Sequence, residues 1–80
     1  MNPEEIQKLI SAGFGNARVE VSSNDNTHFG ALVVAEEFEG LRSIARHQMV
    51  YRALGELVGN EIHALSIRAY TPDEWRQAAG

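Results

Sequence analysis

Between two runs that read as β-strands lies the stretch from Phe38 to Gly59, FEGLRSIARHQMVYRALGELVG, a turn followed by the longest uninterrupted helical pattern in the chain. This placement constrains the fold more than any other feature, because a helix of several turns is the connection that parallel neighbouring strands need. At about 100° per residue, Ile44, His47, Val50, Tyr51, Leu54, Leu57 and Val58 fall on one side, and Arg42, Met49, Arg52 and Glu56 point the other way. The first set is expected to face the core and the second to face solvent. His47, inside the apolar stripe, reads as a hydrogen-bonded core histidine rather than a free base.

The flanking segments supply the rest of the architecture. Asn2, Pro3 and Glu5 mark a helix start, with Asn as cap, Pro at the first helical position and Glu answering the cap from three residues on. Ile6, Leu9 and Ile10 give that helix its apolar face, and Gly13 is placed to end it in a left-handed turn. From Ala17 the period becomes two, with Ala17, Val19 and Val21 opposite Arg18, Glu20 and Ser22. Ser23 to Thr27 is a polar turn cluster, and His28 to Ala35 a second strand, so the pair reads as an antiparallel hairpin. Ala31 to Ala35 is apolar on both parities, as in a strand with neighbours on both edges. Ile62 to Tyr70 is a third strand, and Thr71, Pro72 and Glu74 repeat the cap logic to start a terminal helix carrying Trp75. The expected fold is α+β, in the order helix, strand, strand, turn and helix, strand, helix, over a single domain spanning residues 1–80.

If the second and third strands are parallel neighbours, both begin at the same edge of the sheet. His28 opens one and His63 stands second in the other. Strands in a sheet lie about 4.8 Å apart, so these imidazoles can converge on one ion or partner group. The plainer reading makes them separate surface or cap residues. With no cysteine in the chain, disulfides and thiolate ligands are excluded, and its three histidines are the only soft-metal candidates.

The formal charge of −4 disfavours nonspecific attraction to nucleic acid or anionic lipid. Against that average, Arg42, Arg46 and Arg52 form a positive strip on the exposed side of the long helix, next to a turn at Gly40. It reads either as a solvated face balanced by nearby glutamates or as an anion or nucleic-acid contact. Aromatic residues do not interleave with these arginines, which leaves base stacking without support. Trp75 reads as a lid over core. Glu36, Glu37 and Glu39 read as a solvated turn rather than paired acid and base catalysts. No nucleophile elbow, phosphate-binding glycine loop or zinc-protease helix is present, so no enzyme activity is expected. No segment has the apolar length of a membrane span, and the Met1 end lacks a basic flank followed by an apolar run. A cytoplasmic protein, monomeric on its own, is expected.

Three blocks in register carry a family resemblance. Phe38-Glu39-Gly40, then Arg46-His47-Gln48-Met49-Val50-Tyr51, then Ile62-His63-Ala64-Leu65-Ser66-Ile67-Arg68-Ala69-Tyr70-Thr71-Pro72-Asp73-Glu74-Trp75 resemble the BolA family, and within it the bacterial IbaG (YrbA-like) branch. The likeness runs from the first helix to Trp75. It implies a fold related to class II KH domains, with helices packed on one face of a three-stranded mixed sheet. It also implies a noncatalytic adaptor role in iron–sulfur cluster trafficking, partnered by a cytosolic monothiol glutaredoxin with which a [2Fe–2S] cluster is shared. The family's cluster-ligating histidine of the third strand maps onto His63, and the His or Cys of the loop between the first strands maps onto His28. A partner cysteine and glutathione would supply the thiolates, and imidazoles would complete the other iron, a mixed ligation that resembles the Rieske arrangement. Neutral imidazole is required, so binding is expected to weaken as pH falls through the histidine range.

Two departures stand out. The family often has a serine two residues after the glycine of the FEG-like block, where this chain has Arg42, with Ser43 following. A KH nucleic-acid loop of the GXXG type needs a second glycine where Gly40-Leu41-Arg42-Ser43 ends in serine. The alternative to the adaptor role is a KH-like nucleic-acid-binding regulator of transcription or stress response using Arg42, Arg46 and Arg52. A third possibility is a docking protein whose histidines are incidental.

Overall fold

The structure is a computed structural model and describes residues 1–79. Helix α1 (Pro3–Ala12) leads into strands β1 (Ala17–Ser23) and β2 (His28–Ala35). A short 3-10 turn over Glu36–Phe38 then precedes α2 (Ser43–Leu54), another over Gly55–Leu57 follows it, and β3 (Ala64–Tyr70) and α3 (Pro72–Ala79) complete the chain. The sheet order is β1-β2-β3, with β2 antiparallel to β1 and parallel to β3. The mixed sheet anticipated from the helical crossover is therefore present, with the doubly apolar strand at its centre.

Local chemistry accounts for the helix starts. Asn2 accepts from the Glu5 amide at 2.9 Å while the Glu5 carboxylate accepts from the Asn2 amide, a reciprocal cap that satisfies donors the helix cannot. Thr71 and Glu74 repeat it at α3, with the Thr71 amide donating to Glu74 Oε1 at 2.8 Å and the Glu74 amide donating to Thr71 Oγ1 at 3.2 Å. The α2 start lacks this device. Its cap position is Arg42, which makes no side-chain capping bond. Serine, by contrast, is among the best cap residues.

The core lies between one face of the sheet and the pair α1 and α2. Ile6 and Ile10 from α1, Val19, Phe29, Ala31, Val33 and Ala35 from the sheet, Val50 and Leu54 from α2, and Phe14, Phe38 and Ile62 from the connections are all buried. Phe14 and Phe38 meet edge to face with centroids 5.4 Å apart, a geometry the ring quadrupole favours.

Several expectations change. Gly13 sits at φ −84°, in ordinary right-handed space, so it does not end α1 by a left-handed turn. Its missing side chain serves packing instead: a Cβ there would lie 2.9 Å from the Ala53 Cβ, so glycine is what lets α1 approach α2. The third strand begins at Ala64 rather than Ile62, because Ile62 turns inward to full burial and bridges to Val58.

The α2 stripe is rotated by about one position from the sequence reading. Ile44 is 74% exposed and Tyr51 40%, while Met49 packs on the core beside Val50 and Leu54. His47 is half-buried rather than sealed in the core. The rotation brings Arg46 to the sheet side, where its guanidinium lies 5.8 Å from the Phe38 ring. Trp75 also differs from expectation. It lies against Tyr70, with ring centroids 5.5 Å apart, and 5.4 Å from the Arg18 guanidinium. Arg18 and Tyr70 flank Val34 in register, so Trp75 shelters the face of the sheet opposite α1 and α2 and is not a lid on the main core.

Candidate metal-ligating rim

The parallel register of β2 and β3 aligns His28 with Ala64, the residue after His63. The Thr27 carbonyl fastens the two strand starts together by accepting from the amides of both His63, at 2.9 Å, and Ala64, at 3.2 Å. As a result the His28 and His63 rings stand at one rim of the sheet with centroids 5.5 Å apart and planes at 80°. Both residues are exposed.

The loop before His28 is built around Asp25. Its Oδ1 accepts from the amides of Thr27 at 3.0 Å and His28 at 2.9 Å, and its Oδ2 lies 2.8 Å from His28 Nδ1. Ser23 Oγ accepts from the Asn26 amide and donates to the His28 carbonyl, closing the turn around a left-handed Asn26 at φ 58°. The His28 and Thr27 amides, with help from the ring, hold the Asp25 carboxyl well below the usual carboxylate range. From the sequence, Ser23 to Thr27 reads only as a turn. The signal for Asp25 was its position three residues before His28, where an Asp side chain reaches forward to amides in an Asx-type turn.

Arg42, Arg46 and Arg52 do not form the open strip expected of them. The Arg46 side chain is only 12% exposed and pairs with Glu74 through its Nη1 and Nη2, at 2.6 and 3.2 Å. Its Nε also donates to the Leu41 carbonyl and Nη1 to the Ala69 carbonyl. A guanidinium so occupied is a structural clamp with little left for a phosphate. Arg42 and Arg52 are exposed, as is Gly40, whose φ of 76° explains the glycine there. The second glycine position of a GXXG loop is Ser43, the first residue of α2.

A family model described as BolA-like protein matches residues 10–74. The chain belongs to the BolA family. It is 46% identical over 75 residues to a Vibrio cholerae protein named DNA-binding transcriptional regulator BolA, covering 94% of this chain and 67% of that protein. It is 41% identical over 76 residues to the Escherichia coli acid stress protein IbaG, covering 94% and 89%. The structure of a BolA homologue from Coxiella burnetii superposes with a TM-score of 0.83 at 39% identity, covering 95% of this chain and 97% of that one. Against human BolA-like protein 1, at 40% identity, the chain spans about half the relative's length, 53%.

The donor set of the BolA rim can be judged against the cofactor that the sequence resemblance implies. Two exposed imidazoles meet there, and the chain holds no cysteine. Among the described residues no group of three or more His, Cys, Asp or Glu converges to hold a metal ion. Two imidazole nitrogens fit a centre whose thiolates come from another molecule. No described helix is long and apolar enough to cross a membrane.

Proposed function

We propose that this BolA protein is a noncatalytic adaptor in iron–sulfur cluster trafficking that shares a [2Fe–2S] cluster with a cytosolic monothiol glutaredoxin. The observation that carries this reading is the meeting of His28 and His63, 5.5 Å apart at an exposed rim, in a chain without thiolates. His63 and His28 would supply imidazole nitrogen, and glutaredoxin cysteine and glutathione the sulfur. When bound, such a cluster supplies a redox-active, transferable iron–sulfur unit whose potential rises as imidazole replaces thiolate. The protein's own part is to hold two rings at one edge and to leave that edge open to a partner. The test mixes the chain with a monothiol glutaredoxin, iron, sulfide and glutathione and compares visible spectra with glutaredoxin alone. The bands should shift with the wild-type chain and revert with His63→Ala; bands indifferent to that change defeat the ligand assignment.

The name of the Vibrio cholerae relative keeps a second reading in view, a nucleic-acid-binding regulator. Arg42 and Arg52 are its available cations, since Arg46 is committed to Glu74. Titration with DNA and RNA at two salt concentrations decides it: phosphate contacts require affinity to fall as salt rises, and no binding at low salt removes the reading.

A further inference from the structure

We propose that Asp25 is a positioning residue that holds His28 as the Nδ1–H tautomer and so presents the Nε2 lone pair to the metal at the rim. This rests on the cluster-sharing reading for its purpose, but the tautomer itself is a property of the free chain.

Asp25 Oδ2 lies 2.8 Å from His28 Nδ1, and an ionised carboxylate can only accept. The hydrogen between them must therefore sit on Nδ1. A neutral imidazole carries one ring hydrogen, so Nε2 is left as the acceptor and the ligand atom. Thr27 Oγ1, 3.1 Å from the same Nδ1, is a hydroxyl that can donate or accept and imposes neither tautomer. The other carboxylate oxygen, Oδ1, is bound to the Thr27 and His28 amides. The carboxylate is thus fixed by the backbone of the residue whose ring it orients. Carboxylate-to-histidine contacts of this kind set ring orientation and raise ligand basicity at metal centres, and their loss typically weakens metal binding by roughly 10- to 100-fold.

The division of labour between the two oxygens supplies a clean variant. In Asp25→Asn the retained Oδ1 still accepts from both loop amides, but an NH2 group replaces Oδ2 and now donates toward Nδ1. The ring should then move its hydrogen to Nε2, capping the proposed ligand atom without unfolding the loop. Thr27→Val, which removes only the hydroxyl, is the companion.

The experiment reads imidazole 15N shifts of the free protein at a pH where His28 is neutral, together with the Thr27 and His28 amide signals. Wild type and Thr27→Val should show the Nδ1–H form, and Asp25→Asn a shift toward Nε2–H with the loop amides little moved. The variants are then titrated into glutaredoxin carrying a [2Fe–2S] cluster and glutathione, where Asp25→Asn should weaken cluster-dependent complex formation by roughly 10- to 100-fold. A wild-type Nε2–H ring, or a ring indifferent to Asp25→Asn, overturns the proposal. So does an altered tautomer with undiminished complex formation, provided His28→Ala weakens that complex. If His28→Ala leaves the complex unchanged while the tautomer behaves as stated, it is the cluster-ligand role of His28 that falls and the positioning contact that stands.

Discussion

Arg46 of α2 and Glu74 of α3 close a two-pronged ion pair at 2.6 and 3.2 Å, and the same Glu74 carboxylate caps its own helix by accepting from the Thr71 amide. One side chain therefore ties the central helix, the end of β3 and the last helix together. These bonds, that from Arg46 foremost, hold the Glu74 carboxyl down at about 2 against an ordinary 4.5. Because the folded state resists protonation that the unfolded chain accepts, this contribution is complete above about pH 4.5 and is lost as pH falls toward 2. The carboxylate is 46% exposed, so solvent screening keeps the effect modest. Urea midpoints measured from pH 6 down to pH 2.5 should fall more steeply for wild type than for Glu74→Gln; equal slopes would show that the pair does not respond to pH.

Arg46→Ala, in turn, should weaken the fold. It strips a ligand from Glu74 and leaves the Leu41 and Ala69 carbonyls without their side-chain donor. Loss of a charged hydrogen-bonding partner at a mostly buried site costs about 1–3 kcal/mol. Chemical denaturation is the check, and it must precede any reading of this variant as a nucleic-acid-binding mutant.

Gly13→Ala sets two effects against each other. With φ at −84° the backbone accepts alanine, and the stiffer unfolded chain would favour the variant by about 0.4–1 kcal/mol. The new Cβ, however, would lie 2.9 Å from the Ala53 Cβ and 3.4 Å from the Ile10 carbonyl oxygen. Neither neighbour is a flexible side-chain tip, so α1 and α2 must separate, and overpacking of this kind costs about 1–3 kcal/mol. Packing should win, giving a lower urea midpoint, and Ala53→Gly should then cost less in the Gly13→Ala background than alone. A stabilised single variant would contradict the close helix approach.

Arg42→Ser should stabilise the protein. Position 42 is the uncapped start of α2, in extended conformation at φ −79° and ψ 165°, and a serine hydroxyl there would satisfy an amide of the first turn. Cap residues of this type are worth about 0.5–2 kcal/mol over noncapping ones. Thermal unfolding of the single variant measures it, and an unchanged or lower midpoint would contradict the capping argument.

The element order and the parallel pairing of β2 with β3 were legible because period changes, Pro and Gly punctuation and the length of the crossover are local signals. The α2 face was harder to read. Arg46 lines the sheet side because its charge is met by a carboxylate on a helix far along the chain, and no local pattern announces such a partner. Ile44 and Tyr51 fit an apolar stripe by spacing yet remain exposed, since a stripe gives a period but not the phase at which neighbours cover it. Gly13 was misjudged because a glycine after a helix suggests a backbone need, while the close contact with Ala53 is visible only in three dimensions. At the rim, topology places His28 and His63 at one edge but leaves open whether their rings meet, and the structure brings them to 5.5 Å. Asp25 did not, because its role depends on which carboxylate oxygen faces the ring.

Binding of iron by imidazole from this chain can be measured directly. With its histidines labelled with 15N, the chain is assembled with unlabelled glutaredoxin, glutathione and a [2Fe–2S] cluster, and the reduced complex is examined by pulsed electron paramagnetic resonance. Strong 15N couplings that are reduced in His63→Ala are the predicted result. The absence of strong 15N couplings, or couplings unchanged by that substitution, would contradict it.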